Sequence, residues 1–183
     1  MKAAYITQWC AEGKVADSIS FGEVAAPAPP VKKNVVIEVK ASAINVDDVA
    51  LLQDSAGGGW FFHGRTPSVN KPLIGGMEYA GVVLAVGPDC ERLKVGDRVC
   101  GIQDVAIQKN SGTWAEQTLA PEKDVVLIPE SCDISFVDAA SVLMGAFICG
   151  DIYKRAKLPA NGGTVRCLVI GASGGLGLIL LQL

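Results

Sequence analysis

The run Gly171-Ala172-Ser173-Gly174-Gly175-Leu176-Gly177 has the residue types and spacing to handle a phosphate. A dinucleotide-binding turn needs a tight bend, a backbone bare enough to approach a pyrophosphate, and a helix whose first amides point at it. Gly174 and Gly177 take the second and third glycine positions of that pattern, while Ala172 stands at the first with Gly171 just before it. Gly174 would let the phosphate come close, and Gly177 would let the helix pack near its strand. Taken alone, so degenerate a pattern also fits an ordinary strand-to-helix turn. The apolar stretches on either side, LVI before and LGLILLQL after, favour cofactor binding.

Those flanks set the elements that must position the turn. TVRCLVI (164–170) predicts a buried strand, and the residues after the glycines predict an apolar helix. Strand, glycine turn and helix together open a doubly wound α/β domain. Upstream, SFVDAASVLMGAFICGDIYKRAK (135–157) predicts a helix capped by Ser135, with Asp138 three residues on in a variant of the capping box. Gly145 and Gly150 leave room for a break in it, and LPANGG (158–163) reads as a loop.

The first half has a different character. VAAPAPPVKKN (24–34) is an extended connector forced by its prolines. VVIEVKASA (35–43) alternates Val35, Ile37, Val39 and Ala41 against Glu38, Lys40 and Ser42, the pattern of a half-buried strand. YAGVVLAVG (79–87), GDRVCGI (96–102), TWAEQTLAP (113–121) and DVVLIP (124–129) predict further short strands punctuated by glycine and proline. Several such strands in succession suggest a partly closed β-barrel.

Composition narrows the classes. Of 183 residues half are hydrophobic and 19% charged, enough for a substantial core and unlike a disordered chain. A net charge of -3 without any lysine/arginine stripe argues against a nucleic-acid partner. No uninterrupted apolar run reaches the roughly 18 residues of a bilayer span, and the start MKAAYITQWCAEGK reads neither as a signal nor as a transit peptide. A cytoplasmic protein is expected. The six cysteines (Cys10, Cys90, Cys100, Cys132, Cys149, Cys167) lack any CxxC spacing, so they are expected mostly as small buried hydrophobes rather than as a disulfide framework.

SAINVDD (42–48), GGMEYAGVVLAVG (75–87), LKVGDRVCG (93–101), GTWAEQTLAP (112–121), FVDAAS (136–141) and VIGASGGLG (169–177) follow one another in an order and spacing that resemble the medium-chain dehydrogenase/reductase superfamily. Within it the chain is similar to the zinc-independent quinone oxidoreductase branch. The resemblance implies a GroES-like catalytic domain over residues 1–145, then a linking helix and the start of a Rossmann domain over 146–183. It implies hydride transfer from NADPH, with NADH as the alternative, to a quinone or an α,β-unsaturated carbonyl compound. An enoyl-thioester reductase of the same superfamily is the neighbouring possibility.

The same resemblance bears on zinc. In the alcohol dehydrogenase branch two cysteines and a histidine hold the catalytic metal, with a fourth position open. Here the first cysteine position falls on Asn45, the Gly-His-Glu triplet reads Gly76-Met77-Glu78, and the second cysteine position falls near Leu143. The four-cysteine structural lobe has no counterpart, and His63 is the sole histidine. No metal is expected.

Reducing a conjugated carbonyl builds negative charge on oxygen, which calls for a hydrogen-bond donor. Asn45 is the leading candidate, matching the family's Asn-x-x-Asp, with Asp48 fixing the local turn or reaching substrate. An Asx-type turn closing the strand at Ala43 is the alternative reading of the same pair. In DSAGGGWFFHGRTPSVNKP (54–72), Trp60, Phe61 and Phe62 either wall a flat substrate, with His63 or Arg65 as donors, or pin the loop to the barrel; the second is favoured. Glu78 and Asp97 read as fold-stabilising residues. The family's Thr-Ala pair in the linking helix becomes Ile148-Cys149, which removes a hydroxyl near the nicotinamide, and Cys149 reads as packed rather than redox-active.

Length raises a second class of function. The acidic partner for a ribose is expected about 20 residues past the glycine turn, beyond Leu183. The 183 residues are therefore expected to bind NADPH weakly or not at all, as a non-catalytic module of a larger reductase. Homo-oligomers are also expected, associating through the apolar end GLGLILLQL.

Overall fold

The computed structural model describes residues 1–53, 66–103, 112–157 and 164–183. Two antiparallel sheets form its framework. The smaller joins β1 (Lys2–Ile6), β2 (Ser20–Glu23) and β4 (Leu73–Ile74) in the order β2-β1-β4. The larger joins β3 (Asn34–Ser42), β5 (Glu78–Val86), β6 (Arg98–Ile102), β7 (Gln117–Pro121) and β8 (Val125–Leu127) in the order β7-β3-β5-β6-β8. Two short helices, α1 (Val15–Ser18) and α2 (Val46–Leu52), lie in the first part, and α3 (Phe136–Arg155) and α4 (Gly175–Leu180) in the last.

The large sheet curls. The β3–β5 ladder shifts register between Val36 and Ile37 and again between Val39 and Ala41, and such bulges bend a strand and increase its twist. The expected alternation is therefore lost in the first half of β3, where three consecutive residues are buried. Val35 and Ile37 are fully buried, Val36 is buried as well, and by Val39 and Ala41 burial is only partial. The small sheet closes one side: Ala4 donates to the Trp114 carbonyl at 2.7 Å and Glu116 to the Lys2 carbonyl at 3.1 Å. The result is the mainly β, partly open barrel expected from the strand spacing.

Strands β1 and β2 were not expected from the sequence. KAAYI and SFGE carry little intrinsic strand signal, and they form because each finds a partner, in register Lys2↔Glu23 to Tyr5↔Ser20.

Three clusters make the core. Val35, Ile37, Tyr79, Val83, Leu93, Val99, Ala120 and Val125 fill the barrel. Ala80 and Cys100, pointing to the opposite face of the same strands, pack with Ala139, Ala140 and Leu143 of α3. Ile6, Cys10, Val15, Leu51, Leu52 and Leu73 join the small sheet to α2. One loop is tied by polar means instead. Glu122, 4% exposed, accepts at a single oxygen from the amides of Glu91 (3.0 Å), Arg92 (2.6 Å) and Leu93 (3.0 Å). Burial works against its charge, but those amides and the Arg92 guanidinium hold its carboxyl below the usual carboxylate range.

Helix α3 forms as its cap predicts, with Ser135 Oγ accepting from the Asp138 amide at 3.1 Å. It runs unbroken through Gly145 and Gly150 for 20 residues. Its approach is fixed by Arg98, which donates to the carbonyls of Cys132 and Ile134 and lies 5.0 Å from the centre of the Phe136 ring. By length and composition α3 is apolar enough to cross a bilayer, although no uninterrupted apolar run was evident in the sequence. One side of it, with Ala139 and Ala140, is spent on the sheet.

The predicted strand at 164–170 is absent. Residues 164–169 have no regular structure, and Leu168 and Ile170 are 87% and 90% exposed. A strand buried on both faces needs neighbours on both edges, and among the described residues none pairs with this stretch. The glycine turn and the helix after it do form. The loop at 158–163 lies outside the described residues. All six cysteines are free; Cys10, Cys100 and Cys149 are buried, Cys90 and Cys132 half-buried, and Cys167 exposed.

Candidate functional site

Strand β3 ends at Ser42, and three residues later the chain turns into α2 with Asn45 as the N-cap. Asp48, at the third helical position, reaches back so that its Oδ2 accepts from the Asn45 amide at 2.8 Å, while the Asp48 amide donates to the Asn45 carbonyl at 3.1 Å. The two residues form a capping box, in which the Asn45 side chain also faces the Asp48 amide. The Asn45 side chain does something further: its Nδ2 donates to Glu78 Oε2 at 2.8 Å.

Both carboxylates here are buried, Asp48 to 2% exposure and Glu78 to 1%. Desolvation pushes the Asp48 carboxyl up to about 6, against the lowering effect of the Asn45 amide; the charges of Asp47 and Glu78 push the same way as burial, and the Gly76 amide opposes them. Glu78 opens β5. Its Oε1 accepts from the Met144 amide in α3. Ser42 Oγ and Thr113 Oγ1 lie 2.7 and 3.0 Å from its own carbonyl oxygen and 2.8 Å from each other, and with one proton each they make two of these three hydrogen bonds. Glu78 therefore gathers β3, α2, α3 and the approach to β7 at one point, a more central place than its reading as a fold-stabilising residue indicated. Nothing local signals this, because its side-chain partners lie 33 and 66 residues away. Asp97 does what was expected of it: its Oδ2 accepts from the Lys94 amide at 2.9 Å across the turn into β6.

The three positions of zinc ligation in the alcohol dehydrogenase branch converge here. Asn45 binds Glu78, Met77 packs against the cluster of Leu51, Leu52 and Leu73, and Leu143 packs against that of Ala80 and Cys100. An amide, a thioether and an isobutyl group are a poor donor set for zinc, which favours thiolate, imidazole and carboxylate. Among the described residues no group of three His, Cys, Asp or Glu side chains could hold a metal ion. His63, with Trp60, Phe61, Phe62 and Arg65, lies outside the described residues, so the two readings of that loop stand as stated.

In the glycine run, Gly171 adopts φ of +82°, and the Gly174 amide donates to the Gly171 carbonyl at 3.0 Å, closing the turn. A side chain at Gly177 would meet that carbonyl oxygen at 2.2 Å, so the residue must be glycine for the turn to lie against its helix. Ala172, Ser173, Gly175 and Leu176 complete the segment, and α4 starts at Gly175. The backbone of this turn is bare and tightly folded. Cys149, fully buried, donates its thiol to the Leu176 carbonyl at 3.3 Å, which agrees with a packed role beside this helix.

With this geometry the comparison with known proteins is direct. Residues 31–130 match the family described as the alcohol dehydrogenase GroES-like domain. The chain belongs to that family. The synaptic vesicle membrane protein VAT-1 homolog of Homo sapiens is 31% identical over 87% of the chain and 36% of its own length. A trans-enoyl reductase of Penicillium crustosum is 30% identical over 75% of the chain and 34% of its own length. The 2-methylene-furan-3-one reductase of Solanum lycopersicum is 31% identical over 85% and 38%. Among solved structures, a mycobacterial quinone oxidoreductase superposes with a TM-score of 0.76 at 26% identity, covering all of this chain and 49% of its own. The Escherichia coli quinone oxidoreductase complexed with NADPH superposes with a TM-score of 0.73 at 23% identity, covering 100% and 48%; at that identity the likeness is one of fold. The chain spans about a third to a half of the length of these relatives. The GroES-like fold and the medium-chain dehydrogenase/reductase membership implied by the sequence motifs are both met.

Proposed function

We propose that the chain is the substrate-side part of a metal-free, NADPH-dependent oxidoreductase that reduces a quinone or an α,β-unsaturated carbonyl compound. The observation that carries this reading is the replacement of a metal-binding corner by a hydrogen-bonding one. Where the zinc enzymes place a cysteine, this chain presents the Asn45 carboxamide with its nitrogen fixed on Glu78. Nδ2 carries two hydrogens and Glu78 engages one. The other is assigned to the substrate carbonyl, where it would stabilise the oxygen as charge develops on it.

When bound, NADPH supplies the hydride. The residues of this chain orient the acceptor and hold the donor in place, and the balancing proton comes from solvent. Gly171 to Gly177 are the residues that would take the pyrophosphate, and their bare backbone fits that group. Asp48 is assigned to shaping the turn that presents Asn45, since its carboxylate is committed to the Asn45 amide. A domain division near residue 145 accompanies this reading. The trans-enoyl reductase relative supports an enoyl thioester as the second substrate class.

The test is NADPH consumption by protein containing this chain, with a quinone, an enone or an enoyl thioester as acceptor, before and after treatment with a chelator. Turnover unchanged by chelation is expected. Loss that only zinc restores would overturn the metal-free reading, and failure with all three acceptors would overturn the reductase reading. For the 183 residues alone, weak or undetectable NADPH binding is expected, because among the described residues no strand pairs with the stretch leading into the glycine turn. Micromolar binding in a fluorescence titration would contradict that.

A further inference from the structure

We propose that Glu78 is a positioning residue, whose buried carboxylate locks the Asn45 carboxamide in its donor orientation and ties it to the segment of α3 on which the glycine-turn helix rests. The proposal deepens the reading of Asn45 as the carbonyl donor and rests on it.

A carboxylate 1% exposed is costly unless its oxygens are satisfied. Among the described residues Glu78 forms no ion pair. Among the described residues its compensation comes from two hydrogen-bond donors, one to each oxygen, Asn45 Nδ2 at 2.8 Å and the Met144 amide. The two donors make different demands. A backbone amide can only donate, so Oε1 must accept. An amide side chain can turn either end to a partner, but a carboxylate oxygen selects its nitrogen and sends its oxygen away. Glu78 thereby fixes the nitrogen end of Asn45, in the same sense as the Asp48 amide, which meets the Asn45 side chain from the capping box.

No other side chain of this length accepts at both ends. Glutamine would set its own NH2 against one of the two donors, leaving a buried donor unmatched. Aspartate would be one methylene too short to reach both. The backbone of Glu78 is pinned as well, through Ser42 and Thr113 on its carbonyl.

The far side of the bridge matters equally. Met144 precedes Gly145, and the space of the missing side chain is filled by α4: a Cβ at Gly145 would lie 2.4 Å from Ile179 Cδ1. One turn further along α3, Cys149 donates to the Leu176 carbonyl. The stretch of α3 that donates to Glu78 is therefore the stretch that seats α4. A single carboxylate joins the helix of the cofactor turn to the amide assigned to substrate.

The test uses the 183-residue chain, labelled with 15N, and follows the side-chain amide of Asn45 and the backbone amide of Met144. In the wild type, one Asn45 carboxamide proton and the Met144 amide are expected downfield and protected from exchange. In Glu78→Gln and Glu78→Asp at least one of these signals is expected to collapse to solvent-like behaviour, with amides of the barrel core such as Val83 and Val99 unchanged. Retention of both signals in both variants would overturn the proposal. If neither variant folds, the wild type decides: an unprotected Asn45 carboxamide overturns the lock.

Binding of cyclohexanone, a saturated ketone that does not alkylate thiols, separates the two layers of the reading. Glu78→Gln is expected to weaken it about fivefold, as is Asn45→Ala, with the double variant no weaker than either. Additive losses would overturn action through Asn45. If Glu78→Gln moves the Asn45 signals while Asn45→Ala leaves cyclohexanone binding intact, the lock stands and the donor role of Asn45 falls.

Discussion

Gly81 in the barrel and Gly177 in the glycine turn face the same local constraint in very different surroundings. A side chain at Gly81 would lie 1.9 Å from the Glu38 carbonyl oxygen, and one at Gly177 would lie 2.2 Å from that of Gly171. Gly81 sits in β5, paired on one side with β3 and on the other with β6, with Tyr79 and Val83 fully buried nearby. Gly177 sits in a six-residue helix whose neighbours Leu176 and Leu178 are 41% and 52% exposed, after a stretch that pairs with nothing described. Tight backbone geometry can thus be encoded by a few residues, but its share in the stability of the whole depends on what packs around it.

The largest expected effect tests the barrel side. Gly81→Val should destabilise the chain by more than about 4 kcal/mol, because neither flanking strand can withdraw from the added methyl groups. A urea titration would show this as a lowered midpoint, or as no folded baseline at all; a loss under about 1 kcal/mol would mean that the sheet gives way more readily than its pairing indicates.

An intermediate effect concerns the buried acid of the site. The Asp48 carboxyl is raised from 3.8 to about 6 in the folded chain, so the folded state holds its proton more tightly than the unfolded state. Its contribution to stability is full below about pH 4 and is lost as pH rises through about 6, a swing of at most about 3 kcal/mol. Melting temperatures should therefore fall across that window, and Asp48→Asn should flatten the slope. A slope of equal size in Asp48→Asn would remove Asp48 as its source. Glu122 acts in the opposite sense: its lowered carboxyl contributes above the ordinary range near 4.5 and loses its effect as pH falls below that.

The smallest global effect belongs to the turn. Gly177→Ala should disrupt residues 171–180 while lowering the unfolding free energy from a urea titration by less than about 1 kcal/mol. Hydrogen exchange is the sharper readout: amides of 164–170 should exchange freely in both proteins and those of β5 slowly in both. Loss of β5 protection in Gly177→Ala would show that the two regions unfold together.

The legibility of the chain follows the same division. Strands β3 and β5 to β8 were readable because punctuated runs of apolar residues met partners, and α3 was readable from the Ser135 cap. The run TVRCLVI looked equally convincing, since an apolar run of that length carries strand character only when another strand lies beside it. Strands β1 and β2 failed in the other direction, acquiring their conformation from pairing that composition does not announce. At the site, Asn45 and Asp48 were legible as a pair because a cap and its third residue are close in sequence. The bridge from Asn45 through Glu78 to Met144 was not, because it is assembled only when α3 folds back across β5.

The tie at Glu122 has a consequence for how the barrel can vary. One carboxylate oxygen holds three consecutive amides of the loop at 91–93, and an amide is common to every residue except proline. Side-chain identity at positions 91–93 is thereby released from this tie, and Glu91 adds to it only the exposed ion pair with Lys33 at 2.6 Å. The constraint passes instead to position 122, where a change of side chain would be felt at once by three residues that have not changed. A barrel built this way can diversify the rim while keeping a single distant residue as the record of how the rim is fastened.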